Sequence, residues 1–399
     1  MATTNPTSDL TPSHTGHTSL LVSLAPQSHE AFDYSISNLS AAFSGESVLV
    51  ATPDAVTAPT DSNGLHIVGY TPSVPSPGGW TLTAADFFNA HELIQQHHAG
   101  AVLQLGAEAH SLQPTALRAL ADAVVEGGAD LALPRYTLPA SAGLVNSAIL
   151  YPVSRALFGS HARFPLAIDL CLSPRMAEKL ATIAQRYTSV NQADALIWPI
   201  AEASIAGFKI VEVEAGPRTL PHPTAPDLNS LLAVVAASLF ADVDAKAAFW
   251  QRTRVAVISP NALAPTEPAF TPDQVQPMIE AFQLAYGNLH EIWSLVLPPQ
   301  SLLGLKRLST MPAETFRMPD PLWARIVYDF LLAFRLRTIN RGHLLGALTP
   351  LYLAWVASHI LLAGTGTDPE QHVESVAGAF EADKAYLVSR WRWPDRFNP

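Results

Sequence analysis

Apolar positions recur along the chain in two regimes. In the first regime short apolar runs alternate with segments of helical spacing. The runs at 19–25 (SLLVSLA), 47–52 (SVLVAT), 65–70 (LHIVGY), 100–105 (GAVLQL) and 130–134 predict buried strands, and 208–214 (FKIVEVE) predicts one with an alternating pattern. Helical spacing falls at 29–43, 83–98, 114–126, 144–158, 174–187 and 193–206. Thr83 with Asp86 three residues later forms a loose capping box, and Pro114 suits a first helical turn. This alternation predicts an α/β domain with a mostly parallel sheet over 18–227. In the second regime no strand series remains, and helices are predicted at 228–254, 272–297, 320–338, 341–363 and 369–391. The second domain, 228–399, is therefore expected to be all-α. Residues 1–17 lack the basic and apolar regions of a signal peptide and read as a disordered polar leader.

One stretch resembles a membrane span. Residues 342–367 carry no formal charge, 344–363 are mostly apolar, and Arg335, Arg337 and Arg341 precede them. Thr349, Pro350, Ser358 and His359 interrupt the stretch, so a buried helix with no membrane span is the expectation.

Composition narrows the function classes. At about 150 residues per domain, 399 residues suggest two to three domains. Hydrophobic residues make up 48% and charged residues 14%, which excludes a disordered chain. A net charge of −11, from 34 acids and 23 bases, argues against a nucleic-acid partner. The single cysteine, Cys171, excludes a disulfide framework and a multi-thiolate metal site. The expected location is cytoplasmic, and a homo-oligomer is compatible with the composition.

Several common motifs are missing: there is no GxGxxG, no GxxxxGK[ST] and no GxSxG. His91 and His97 lie at i and i+6, not the i and i+4 of a zincin, and read as part of a solvated helix face. His97, His98 and His110 read as surface histidines.

A strand end followed by a helix start carries QLGAEAHSLQP at 104–114. Several segments around it resemble the glucosylglycerate and mannosylglycerate synthase-like retaining glycosyltransferases. These are Glu126-Gly127-Gly128-Ala129-Asp130, the run NSAILYPVSRALFG at 146–159, the run FPLAIDLCLS at 164–173, and Ile197-Trp198 with Ala206-Gly207-Phe208. In the helical half, WARIVYDF at 323–330, LTPLYL at 348–353, KAYL at 384–387 and Arg390-Trp391 are similar to the same family.

The resemblance implies a GT-A-like nucleotide-sugar domain followed by a helical domain. It implies a transferase that moves a hexosyl unit, with retention, from a nucleotide sugar to a glycerate-like hydroxy acid or related small acceptor. The family's Asp-x-Asp, which holds Mg²⁺ or Mn²⁺ on the diphosphate, here reads Gly106-Ala107-Glu108. This degenerate motif predicts weakened cation dependence. Gly106 is expected to leave room for a restored carboxylate.

The resemblance also assigns individual residues. Ala25 and Pro26, in the loop after the first strand, and Asp54, toward a uracil or guanine ring, fall at nucleotide positions. Asp169 falls at a sugar-hydroxyl position. The family's acid two residues before the tryptophan falls on Leu196, and Asp194, two residues earlier, is the nearby catalytic candidate. His222 is the displaced counterpart of a metal-binding histidine. Glu108 reads as a metal or ribose ligand or, equally, as a solvated helix-start acid. Arg218 is a candidate for replacing part of the lost metal charge on a phosphate. Asn146 and Arg155 are expected to hold helix and loops in place, and Asp329 to pair with Arg325 one turn away. The alternative reading is a catalytically silent homologue kept as a binding or assembly partner.

Overall fold

The computed structural model describes residues 19–53, 61–62, 64–221, 228–253 and 275–394. Asp54, His222 and the leader lie outside the described residues. The first half builds β1 (Leu21–Leu24), α1 (His29–Ala42), β2 (Val48–Thr52), β3 (Asp61–Ser62), β4 (Leu65–Gly69), α2 (Ala84–His97), β5 (Val102–Leu105), α3 (Pro114–Val125) and β6 (Leu131–Thr137). It continues through α4 (Tyr151–Phe158), β7 (Asp169–Leu172), α5 (Pro174–Thr188), α6 (Pro199–Ala206) and β8 (Ile210–Pro217). The rest is helical: α7 (Leu228–Ala245), α8 (Ala247–Trp250), α9 (Gln276–Ser294), α10 (Pro299–Ser309), α11 (Asp320–Leu336), α12 (Arg341–Gly364) and α13 (Pro369–Arg392).

The strands form one eight-stranded sheet in the order β3-β4-β2-β1-β5-β7-β6-β8. β3 and β7 run against the other strands. Helices cover both faces, as a parallel sheet requires. α1 and α3 bury Phe32, Leu39, Leu117 and Leu120 on one face. α2 and α5 bury Phe87, Leu93, Met176 and Leu180 on the other. The fold class is thus α/β with a C-terminal all-α region.

Local chemistry explains the boundaries. The Asp86 carboxylate accepts from the Thr83 backbone N–H at 2.7 Å and from its hydroxyl at 2.8 Å, which fixes the start of α2. α6 begins at Pro199, later than the apolar spacing predicts. Trp198, held at ψ 85, cannot be helical before a proline. The predicted helix over 228–254 breaks at Lys246, whose Nζ pairs with Glu202 on α6 at 2.7 Å. The run at 146–150 is a π turn leading into α4, with Asn146 Nδ2 donating to the Arg163 carbonyl at 2.7 Å.

The helical core holds Trp293, Trp323, Tyr328, Phe330 and Trp355 and also takes in Ala148, Ile149 and Leu150 from the turn before α4 and Val153, Leu157 and Phe158 from α4 itself. Trp323 Nε1 donates to the Ala148 carbonyl at 2.8 Å. Arg155 on α4 reaches Glu381 on α13 with two bonds, 2.9 and 3.1 Å, and also pairs with Glu374. Asp329 differs from expectation. Arg325 turns to Asp383 at 2.5 and 2.6 Å, and Asp329 accepts from the Tyr386 hydroxyl at 2.6 Å. The i,i+4 neighbour is outbid by a carboxylate on a facing helix.

Among the described residues two helices, α7 and α12, are long and apolar enough to cross a membrane. Protein buries 78% of the apolar window of α12 and 33% of that of α7. Trp293 Nε1 donates to the Ala347 carbonyl of α12 at 3.0 Å, and Ser358 Oγ accepts from the Met318 backbone N–H at 3.0 Å. These polar groups are satisfied by neighbouring helices. Ala354 is fully buried. Ala354→Arg is therefore expected to lose several kcal/mol, comparable with a domain's whole stability. Denaturant unfolding of detergent-free protein checks this, and a variant as stable as the parent would place Ala354 outside the core.

Candidate functional site

The direction of β7 builds the site. The chain leaves β6 at one edge of the sheet and returns through β7 from that same edge. Asp169, the first residue of β7, is therefore set beside Leu105, the last residue of β5. β8 runs parallel to β6 and ends at Pro217, so Arg218 arrives at the same edge.

The Asp169 and Arg218 side chains are both fully buried. Arg218 Nε donates to Asp169 Oδ2 at 2.8 Å, and its Nη2 donates to Asp169 Oδ1 at 3.1 Å. The Tyr136 hydroxyl donates to Asp169 Oδ2 at 2.7 Å, and the Gly106 backbone N–H to Oδ1 at 3.1 Å. The remaining Arg218 donors meet the Ala107 carbonyl at 2.7 Å, the Thr219 carbonyl at 2.9 Å, Ser111 Oγ at 2.9 Å and the Glu108 carbonyl. One guanidinium thus ties together the loop after β5, the start of β7 and the segment after β8.

Electrostatics reinforce this closure. Burial works against the Arg218 cation, but the Asp169 charge and hydrogen bonds outweigh it and hold the guanidinium above its usual pKa. Burial, with the Asp169 charge adding, pushes the Tyr136 hydroxyl well above its ordinary range, so it remains a donor. Every N–H of Arg218 is spent on a protein acceptor. In this arrangement none is left for a phosphate.

The Gly106-Ala107-Glu108 segment supplies backbone here. Glu108 adopts a left-handed conformation, φ 60, and gives its carbonyl to Arg218. Its side chain is half-exposed, 3.7 Å from His110 Nε2. The expectation of free space at Gly106 is corrected. A Cβ there would lie 2.7 Å from the Ile168 carbonyl oxygen, because β7 packs its incoming backbone against this turn. Among the described residues no group of three or more His, Cys, Asp or Glu is placed to hold a metal ion.

Two cavities open around these strand ends. The first, about 180 Å³, opens where β1 and β5 end, with Ala25, Pro26, Pro53, Tyr70, Asp86 and Gln104 in its wall. β1 connects to β2 on one side and lies against β5 on the other, so this is the sheet's topological switch point, where open α/β sheets bind ligands. Gln104 is buried, and its Nε2 donates to the Asp86 carbonyl at 3.0 Å. Its Oε1 has no partner. An orphaned buried acceptor in a cavity wall invites a ligand N–H.

The second cavity, about 270 Å³, lies between the end of β6, the Arg163 segment and helices α12 and α13. Tyr136 lines it and also binds Asp169, so this cavity abuts the ion pair. Arg135 and Arg163 are in its wall.

The predicted residues distribute unevenly. Ala25 and Pro26 line the first cavity, while Gly106, Glu108, Asp169 and Arg218 meet at the ion pair. Asp194 stands apart, exposed in the turn before α6. Leu196 is buried in the helical core. Tyr136, Ser111 and Gln104 were not singled out by the sequence. A polar residue inside the apolar run GAVLQL was the available signal for Gln104.

No family model and no curated protein matches the chain. Among solved structures it is similar to glucosyl-3-phosphoglycerate synthase from Mycobacterium tuberculosis in complex with phosphoglyceric acid. That overlap has 14% identity over 57% of this chain and 79% of that one, with a TM-score of 0.35. The same enzyme with Mn²⁺, uridine-diphosphate-glucose and phosphoglyceric acid overlaps at 16% identity over 57% and 80% of the two chains, TM-score 0.35. CMP:2-keto-3-deoxy-manno-octonic acid synthetase complexed with CTP overlaps at 12% identity over 51% and 93%, TM-score 0.33.

Proposed function

We propose that this chain is a nucleotide-sugar-binding protein of the GT-A type that operates without a divalent cation and is silent in metal-assisted hexosyl transfer. The observation that carries the reading is the closed Asp169–Arg218 pair. A fixed guanidinium stands beside the Gly106-Ala107-Glu108 loop and consumes the loop's own carbonyls. The nucleotide is assigned to the cavity at the switch point, with Ala25 and Pro26 in its wall and the Gln104 Oε1 as acceptor for a base N–H. Where the family uses a cation to stabilise the leaving diphosphate, this chain has a pre-neutralised pair with no open coordination.

A second reading, retaining hexosyl transfer to a glycerate-like hydroxy acid, is favoured by one observation. The cavity lined by Arg135 and Arg163 shares Tyr136 with the ion pair. An acceptor there would lie next to the residue that binds Asp169.

Calorimetric titration with a panel of nucleotide sugars, with Mn²⁺ and with EDTA, tests the first reading. Affinity is expected to change less than about twofold on chelation, since among the described residues no cluster of three or more carboxylates and histidines is placed to anchor a hard cation. A tenfold loss on chelation would overturn it. Hexosyl transfer to glycerate in the same tubes would replace it with the second reading.

A further inference from the structure

The helical wall of the second cavity carries a chain of three titratable side chains that the nucleotide site does not use. Asp320 opens α11, His359 lies on α12 and His372 lies on α13. His372 Nε2 is 3.1 Å from Asp320 Oδ1, and His372 Nδ1 is 2.7 Å from His359 Nδ1. Ser375 Oγ donates to the other Asp320 oxygen at 2.6 Å. The two imidazoles stack on Trp355, with interplanar angles of 11° and 14°, which fixes their planes.

Donor and acceptor roles propagate along this chain. A carboxylate only accepts, so His372 Nε2 carries the hydrogen. In the neutral ring His372 Nδ1 is then a lone pair, and His359 must donate from its own Nδ1. Burial, with Arg163 adding, pushes the His359 pKa down to about 3, so this ring is neutral. A neutral ring with Nδ1–H has a bare Nε2. His359 lines the cavity, its Nδ1 is committed to His372, and Nε2 is its remaining polar atom.

The same cavity holds Arg163, nine-tenths buried, bound to Glu370 by two bonds of 2.8 and 2.9 Å and to Ser147 Oγ by one of 2.9 Å. Its Nη1 has no hydrogen-bond partner. The cavity wall therefore contains a buried, unpartnered N–H on a guanidinium whose charge Glu370 balances, and a bare imidazole nitrogen. A ligand with one anionic oxygen and one hydroxyl satisfies both. An anion without a hydroxyl leaves Nε2 unpaired.

We propose that His359, oriented by Asp320 and His372, is the specificity-determining acceptor for the hydroxyl of a small hydroxy acid seated against Arg163. This deepens the acceptor-site reading of the second cavity and rests on it. His359 selects and orients the hydroxyl; at its low basicity it is not the group that removes the proton.

Two measurements test it. In ¹⁵N-histidine NMR of the whole protein at pH 8, the His359 ring is expected with Nδ1 protonated and Nε2 bare; the opposite tautomer overturns the proposal. In calorimetry, 2-hydroxypropanoate is expected to bind at least tenfold tighter than propanoate, because a site built for a hydroxyl rejects the analogue lacking it. His359→Phe, which keeps a flat ring on Trp355, is expected to bring the two acids within about twofold. Equal binding of both acids to the parent protein, or no binding of either, overturns the proposal. An undiminished preference in a folded His359→Phe does so as well. Should that variant not fold, the tautomer and the parent protein's preference still decide. Both are read without nucleotide, so they stand apart from the nucleotide-sugar titration.

Discussion

Arg218→Met is expected to cost about 3–5 kcal/mol of stability, the largest effect of any conservative change at the site. Removing one partner of a buried ion pair strands the other charge in a low-dielectric interior, which is where losses of that size arise. The variant would leave Asp169 with only the Tyr136 hydroxyl and the Gly106 N–H. It would also take the Arg218 donor away from the carbonyls of Ala107 and Thr219, while the Glu108 carbonyl would keep its bonds from Ser111. Arg118→Met supplies the contrast. Arg118 pairs with Asp122 at 2.8 Å on the surface, where such pairs contribute roughly 0–1 kcal/mol. Urea unfolding of both variants makes the comparison. A loss for Arg218→Met no larger than for Arg118→Met would mean that the ion pair does not hold the three segments together. Adding Asp169→Leu to Arg218→Met should return part of the loss, because two apolar groups are cheaper than one unpaired charge.

That central pair explains why the fold was more legible than the site. Periodicity located β1, β2, β4, β5, β6 and β8 and nearly every long helix, because each buries an apolar face with its own period. It missed β7, since the short run around Leu170 and Leu172 lies inside a segment whose resemblance drew attention to Asp169 alone. It also missed α10 over 299–309, whose buried face is narrow and carries a serine beside two leucines, Ser301, Leu305 and Leu308. The site depended on partners far apart in sequence. Asp169 was singled out, but nothing local in LAIDL says that Arg218, 49 residues on, closes over it. Read from sequence, an arginine close to the Gly106-Ala107-Glu108 loop suggests a phosphate ligand. Only the register of β7 against β5 and the direction of β8 show where its donors are spent. Asp329 failed similarly, since helical spacing nominates Arg325 while tertiary packing supplies Tyr386.

Placing paired carboxylates in the loop after β5 by Gly106→Asp with Glu108→Asp is expected to destabilise the protein and to gain no Mn²⁺-dependent nucleotide binding. The two substitutions contribute differently. At position 108 the backbone is left-handed, φ 60, a conformation aspartate tolerates better than most residues, so Glu108→Asp alone should change stability by less than about 0.5 kcal/mol. At position 106 any Cβ meets the Ile168 carbonyl oxygen at 2.7 Å. That atom belongs to backbone one residue before β7, which is pinned by its ladder to β5, so it cannot yield cheaply. Gly106→Ala alone should therefore cost about 1–3 kcal/mol, the usual range for overpacking. Gly106→Asp should cost more, because its carboxylate would enter beside Asp169 while the Arg218 guanidinium is already saturated. A cation has no vacant position among these groups until Arg218 leaves. Adding Arg218→His to the two aspartates removes the competing charge and supplies a ligand nitrogen. Only that triple variant, if it folds, is expected to bind Mn²⁺ with a nucleotide sugar. Thermal unfolding orders the single variants, and titration with a nucleotide sugar with and without Mn²⁺ reads the gain. Cation-dependent binding in the double variant, with Arg218 intact, would show that the guanidinium does not block the metal position.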